Sequence, residues 1–312
     1  MTWRIGLVGL ALIAMRATSV CGQHPLPNTT KTPLVSSGIE REYLLHVPPT
    51  LPRDRPVPLV LAFHGGNSNG AQTEILTGFS LVADHKQFLV VYPEAIEKNW
   101  NDGRRQQQFP AQRFNINDVQ FADDIITAVS KEHMVDAQRI YVTGISNGAM
   151  LTHLVAMHLS EKIAAGAAVA GGFAEPAVGQ FAPKQPVSML IIHGTADPQV
   201  PYKGGGVDEG KRGRIIGAER VAKLWVDGNG CQTPAETGEL PDLAPFDQCR
   251  VHWQNWPHGR NGTDVTLYTI EGGGHTWPGS LQFLPKFIIG PVCRDFHATA
   301  VIWDFFEKHP KR

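Results

Sequence analysis

Several large protein classes are excluded by what this chain lacks. It has four cysteines in 312 residues, with no C-x-x-C pair and no H-E-x-x-H helix. Metal ligation therefore has no support in the sequence, and no cofactor is expected. A bilayer span needs about 20 apolar residues, and the apolar run from Ile5 to Met15 has eleven. Neither sign of charge dominates: 28 Lys+Arg face 29 Asp+Glu, a net charge of −1 with no basic patch. Nucleic acid and anionic membrane surfaces are thus poor partner candidates. Internal repeats and low-complexity tracts are missing as well. What remains, 42% hydrophobic and 18% charged residues, is the composition of a globular protein with a sizeable core.

The N-terminus reads as a targeting segment over residues 1–22. Arg4 gives a positive start, Ile5 to Met15 an apolar centre, and Ala17-Thr18-Ser19 a small-residue cleavage site. Arg16 interrupts the pattern, and Val20 before Cys21 is bulky for a lipidation site. Export with cleavage, to the periplasm or outside the cell, is the expectation, and no membrane insertion is expected afterwards. Losing Arg4 and Arg16 would leave 26 − 29 = −3.

Residues 23–38, with Pro25, Pro27 and Pro33, read as an extended lead-in to one domain over 39–312. Strands are expected at 39–47, 58–63, 88–92, 139–143, 163–170, 187–193 and 264–270. Helices are expected at 72–85, 118–133, 147–159, 216–227 and 295–308. Alternation of this kind predicts an α/β fold, a mostly parallel sheet with helices on both faces. Residues 228–262 form an irregular excursion. Gly205 to Arg212 spells most of a Walker A motif, but it lacks the Mg²⁺-binding hydroxyl and a strand leading in, so a loop is expected.

The chemistry is concentrated at Gly144-Ile145-Ser146-Asn147-Gly148, which follows the strand-like Arg139 to Thr143 and opens a helical pattern. G-x-S-x-G between a strand and a helix is the nucleophile elbow of an α/β-hydrolase. A cramped turn presents the serine hydroxyl, and side chains two residues to either side would collide, so both flanks are glycine. In this architecture an acid and then a histidine follow, each just past a strand end. Asp197 in His193-Gly194-Thr195-Ala196-Asp197 and His275 in Glu271-Gly272-Gly273-Gly274-His275 occupy those places. The three glycines are expected to let the loop pass close to the serine. Asp208, Asp227 and Glu271 are rival acids without that placement. His193 is a rival base, but it lies inside its strand and ahead of the acid. His153 and His158 fit packing or surface roles. The oxyanion donors expected are the backbone N–H of Asn147 and that of Gly66, with Gly65 as the alternative.

These motifs together resemble the polyhydroxybutyrate depolymerase and feruloyl esterase-like group of carbohydrate esterase family 1. The resemblance runs over about residues 40–308. It rests on His64-Gly65, Trp100-Asn101-Asp102-Gly103-Arg104, Asp118-Val119, Tyr141 to Met150 and His193 to Asp197. Gly272 to Gly279 and Ile302 to Phe306 complete it. It implies a secreted serine esterase with Ser146, His275 and Asp197 as its triad, acting on a small-molecule or polymeric ester. A serine peptidase with the same triad, and a non-catalytic binding protein on the same fold, are the rival readings. Members often carry a cysteine pair in the excursion; Cys231 and Cys249 flank it here and are expected to be a disulfide, with Cys293 free. Trp100 and Trp277 are candidate flat surfaces for a ring-bearing substrate, or loop-packing residues. With no sequence after the last helix for a binding domain, soluble short-chain or hydroxycinnamoyl esters are expected to be better substrates than crystalline polyester.

Overall fold

Ten strands form one sheet in the computed structural model, which describes residues 25–312. The expected leader, Cys21 included, lies outside those residues. In chain order the elements are β1 (Thr29–Ser36), β2 (Ile39–His46), β3 (Val57–Phe63), α1 (Gly70–Thr77), α2 (Phe79–Lys86) and β4 (Leu89–Pro93). Next come α3 (Asp118–Glu132), β5 (Val135–Ile145), α4 (Asn147–His158), β6 (Ala165–Val169), β7 (Phe173–Ala174) and β8 (Ser188–Gly194). β9 (Gly204–Gly206), β10 (Arg214–Ile216), α5 (Ala218–Asn229), β11 (Glu236–Glu239), β12 (Arg250–Trp256), β13 (Val265–Glu271) and α6 (Ala298–Lys308) follow, with one-turn helices at Pro110–Arg113 and Lys286–Ile289 and three short 3₁₀ turns in the connections.

The sheet order is β1-β2-β4-β3-β5-β6-β8-β13-β12-β11. The strands from β4 to β13 run parallel, and an antiparallel pair closes each edge. Parallel strands must be buried on both faces, because their connections lay helices there. All seven residues of β8 are buried. In β3, Leu59, Leu61 and Phe63 enter one core layer, while Val60 and Ala62 enter the other. The first layer holds the buried sides of α3, α4 and α5; the second holds those of α2 and α6. Among the described residues, no helix is long and apolar enough to cross a membrane.

Three expectations need correction. The lead-in is itself a sheet strand, since β1 pairs with β2 from Thr29↔His46 to Ser36↔Ile39. The helix expected over 72–85 is two helices, because Gly78, at φ 66°, ends one and begins the next. The excursion contains β11 and β12, which extend the sheet beyond β13. The Walker-like run supplies part of β9 and a hydrogen-bonded turn; β9 belongs to a small sheet with β7 and β10.

Candidate active site

The sheet order brings the chemistry together. β5, β6, β8 and β13 are successive parallel neighbours, so the loops after β5, β8 and β13 leave from the same carboxyl edge. Those loops carry Ser146, Asp197 and His275. The loop after β3, on the other side of β5, carries Gly65 and Gly66.

Ser146 sits between β5 and α4 at φ 58°, ψ −120°, a conformation that costs a non-glycine residue about 1–3 kcal/mol. Its neighbours enforce it. A Cβ on Gly144 would lie 2.6 Å from the Gly148 carbonyl carbon, and one on Gly148 would lie 2.3 Å from Phe63 O. Backbone on backbone cannot yield, so only glycine fits at either flank. Helix α4 is buried along its whole length except at His158, which fixes the elbow from behind.

His275 and Asp197 meet directly, with Nδ1 2.7 Å from Oδ2 and both side chains buried. The other oxygen of Asp197 accepts the backbone N–H groups of Gln199 and Val200, each at 2.8 Å. Burial alone would raise the Asp197 carboxyl, but His275 and the hydrogen bonds from His193 and His275 outweigh it and hold it well below the usual carboxylate range. An ionised Asp197 fixes the His275 proton on Nδ1 and leaves Nε2 as a base. Neither Ser146 Oγ nor His275 Nε2 has a hydrogen-bond partner among the described residues. Catalytic hydrogen bonds commonly tighten only when substrate is present.

His193 is engaged elsewhere. Its Nε2 lies 2.9 Å from Val200 O and 3.4 Å from Asp197 Oδ2, so its proton points at the acid's own loop. The rival acids are spent on surface pairs: Asp208 with Arg212, Asp227 with Lys223, Glu271 with His252. His153 is buried beneath Trp225, and His158 is exposed. The glycines before His275 make room for a different neighbour than expected. A Cβ on Gly274 would lie 2.2 Å from Ile289 O, so the loop packs on the 289–290 backbone and not on the serine.

The loop after β3 lies over the elbow: a Cβ on Gly65 would stand 3.5 Å from Ser146 Cβ, and one on Gly66 3.8 Å from Asn147 Cβ. Neither Gly66 N–H nor Asn147 N–H has a partner among the described residues. His64 orients the first of these. Ala95 N–H donates to its Nε2 at 3.1 Å, so the ring proton is on Nδ1, which donates to Gly65 O at 2.6 Å. The Gly65 carbonyl and the Gly66 N–H share one planar trans peptide and point in opposite directions. Turning the carbonyl toward His64 therefore turns the N–H away from it. Burial lowers the His64 pKa to about 4, with Arg41 and Lys98 adding to the effect against the Gly65 hydrogen bond. Glu94 is 3.9 Å from Nε2, yet the Ala95 N–H already occupies that lone pair, so the ring is neutral.

Trp100 and Trp277, expected as substrate surfaces, are both fully buried. Trp277 donates to Thr299 Oγ1 at 2.9 Å and packs edge-on against Phe79. Trp100 braces the site instead: its Nε1 donates to His64 O, and its backbone N–H donates to Asn147 Oδ1, both at 2.8 Å. Asp102 accepts from Asn147 Nδ2 at 2.5 Å and is paired with Arg104 at 2.6 Å. The Trp100 to Arg104 motif is visible in the sequence, but its bracing role is not, since nothing local links it to Asn147.

The expected cysteine pairing also fails. Cys231 packs on the α5 side of the sheet, near Thr263 O, whereas Cys249 and Cys293 are buried together in the layer on the opposite face. A sheet separates Cys231 from Cys249, so these two sulfurs cannot meet, and no S–S bond joins any of the three in this structure.

A mostly parallel sheet, helices on both faces and a nucleophile elbow at its carboxyl edge define the α/β-hydrolase fold. The acetyl xylan esterase of Aspergillus awamori shares it, superposing with a TM-score of 0.58 over 89% of this chain and 99% of that one at 14% identity. Residues 41–180 match the family Esterase PHB depolymerase. A protein of Nocardia uniformis subsp. tsuyamanensis, NocK, which carries an esterase name, is 27% identical over 289 residues, 89% of this chain and 82% of that one. Feruloyl esterase B of Piromyces equi is 29% identical over 243 residues; the match takes in 75% of this chain but only 42% of that longer protein. The resemblance to the polyhydroxybutyrate depolymerase and feruloyl esterase-like group is thereby borne out.

Proposed function

We propose that this chain is a serine carboxylic ester hydrolase working through an acyl-enzyme. Ser146 Oγ attacks the ester carbonyl while His275 Nε2 takes its proton. Asp197 keeps His275 in the right tautomer and stabilises its charged form. The N–H groups of Gly66 and Asn147 receive the oxyanion. His275 then protonates the leaving alcohol, and water repeats the sequence to release the acid. What carries this reading is the 2.7 Å Asp197–His275 hydrogen bond, set on the same sheet edge as a serine held at positive φ. The esterase names of the matched relatives favour ester over amide. Labelling with a fluorophosphonate, followed by peptide mapping, tests it: the adduct belongs on Ser146, and an unlabelled or differently labelled protein rejects the assignment.

For the acyl group, we favour soluble short-chain or hydroxycinnamoyl esters, the class that the Piromyces relative's name points to. One observation favours a second reading. Leu281, Phe283, Phe287 and Ile288 are exposed on the segment whose next residue, Ile289, accepts the His275 backbone N–H. Apolar side chains beside a catalytic mouth suit a hydrophobic polyester surface. Rates on p-nitrophenyl acetate, methyl ferulate and a polyhydroxybutyrate suspension separate the two. Fast clearing of the suspension with feeble turnover of both small esters selects the polymer. Export is part of the proposal too, checked by N-terminal sequencing of protein recovered outside the cytoplasm.

A further inference from the structure

The buried pair left over by the site is Cys249 and Cys293. Both sulfurs and one Asp247 carboxylate oxygen lie within 4.8 Å of one another, and all three residues are buried. Asp247 acts as the template: one oxygen accepts the Cys249 N–H at 2.8 Å, and the other accepts the Arg294 N–H at 2.7 Å, directly after Cys293. Asp295 clips the same two segments from the other side, accepting the N–H groups of Leu243 and Ala244 at 2.9 and 3.1 Å. Six main-chain and side-chain groups thus hold the two sulfurs within 4.8 Å of each other, with the Cys249 thiol donating to Asp247 O and the Cys293 thiol to Asp295 Oδ2, each at 3.8 Å.

Their placement gives the pair a consequence. Cys249 directly precedes β12, and a Cβ on Gly272 would lie 3.9 Å from Cys249 Cα. Cys293 follows the segment on which the histidine loop rests, where Gly274 N–H donates to Pro291 O and His275 N–H to Ile289 O. A bond between the two sulfurs would close a ring that contains β12, β13 and His275.

We propose that Cys249 and Cys293 form a disulfide that clamps the His275 loop, and that Cys231 remains a thiol. Both thiols lose a hydrogen, and an external disulfide such as oxidised glutathione takes up the two electrons and two protons to become two thiols. The exchange belongs to folding, because in the finished protein both sulfurs are sealed from solvent. The adjacent Cys293 sulfur, then burial and Asp247, push the Cys249 thiol up, so in the folded protein Cys249 has almost no thiolate with which to react. Burial, with Asp264, pushes Cys231 up to about 11, so this thiol is slow to exchange once the chain has folded. A metal is the weaker use of this cluster. Both Asp247 oxygens are already engaged by main-chain N–H groups, and three donors fall short of the four that a structural zinc site takes.

The test is independent of the esterase reading. The full chain is refolded in a glutathione redox buffer, denatured without reductant, alkylated, digested and mapped, and its zinc content is measured. The expected product is a Cys249 peptide linked to a Cys293 peptide, with Cys231 alkylated. Alkylation of all three, a link through Cys231, or stoichiometric zinc on reduced thiols overturns the proposal. Melting gives a second reading. The ring spans 293 − 249 + 1 = 45 residues, so reduction should lower Tm by on the order of 8 °C. Cys249→Ser and Cys293→Ser should each cause that loss and abolish the response to reductant, while Cys231→Ser changes neither. A linked protein whose Tm equals that of the same protein reduced in denaturant and refolded with its thiols kept reduced also overturns it.

Discussion

At the scale of single residues, the site divides into groups that would react and groups that aim them. Ser146→Ala and His275→Ala should each lower kcat for ester hydrolysis by ~10⁴-fold or more, since each removes a bond-forming or proton-moving atom. Asp197→Asn should cost less, because the acid only orients the base. Rates of the three purified variants under one assay decide this, and an active His275→Ala would move the base to another histidine. His64 belongs to the aiming groups. Replacing it with Phe keeps the buried volume but removes the shorter of the two hydrogen bonds to the Gly65 carbonyl, leaving only the Ser68 N–H at 3.2 Å, so the Gly66 N–H is held less firmly toward the oxyanion. Losing an oxyanion donor costs about 10²–10³ in kcat. His64→Phe should approach the lower figure with little change in KM, read by steady-state kinetics beside a melting curve that shows the variant folded.

The elements fit by backbone contact more than by side-chain choice, and the elbow is the clearest case. Gly148→Ala puts a methyl group 2.3 Å from Phe63 O and 2.5 Å from His64 O. Overpacking of side chains costs about 1–3 kcal/mol. Here both obstacles are main chain, so a loss of at least ~3 kcal/mol is expected, measured by urea unfolding. This requirement was legible in the sequence, because the glycine spacing is the steric rule itself. So were the parallel strands, whose double burial writes continuous apolar runs such as Met189 to Ile192. The edge strands were not. β1 carries Pro33 and alternates exposed with half-buried residues, and β11 is Glu-Thr-Gly-Glu, so neither offers an apolar pattern. The tryptophans failed for a related reason: their positions beside His275 and in the Trp100 motif are local facts, but which way a large ring faces is decided by packing. The cysteine pairing failed because sequence proximity cannot report which face of a sheet a residue occupies.

Across the whole molecule, two buried neutral histidines set how stability responds to acid. Burial lowers His64 to about 4 and His153 to about 3, from a starting value of 6.5. His153 accepts from Trp225 Nε1 at 3.3 Å, which leaves its own Nε2 proton buried without a partner. In the unfolded chain both rings take up a proton below about pH 6.5; in the fold they resist until pH 4 and 3. The unfolded state therefore binds more protons throughout that window, so stability is full above pH 6.5 and falls as pH drops. Each ring contributes a slope of about 1.4 kcal/mol per pH unit, the His64 share ending near pH 4 and the His153 share near pH 3. Asp197 acts in the same direction but lower down, since its depressed carboxyl is lost as a stabiliser only below the ordinary carboxylate range. The early part of the acid response thus belongs to the histidines, offset toward its lower end by Glu94 and Asp118, whose burial-raised carboxyls bind protons first in the folded state. Urea midpoints between pH 7 and 4.5 should fall steeply in the wild-type protein, and about half as steeply in His153→Phe, where one titrating ring is gone. A wild-type midpoint that stays flat down to pH 5 would mean that neither ring is held neutral by the fold.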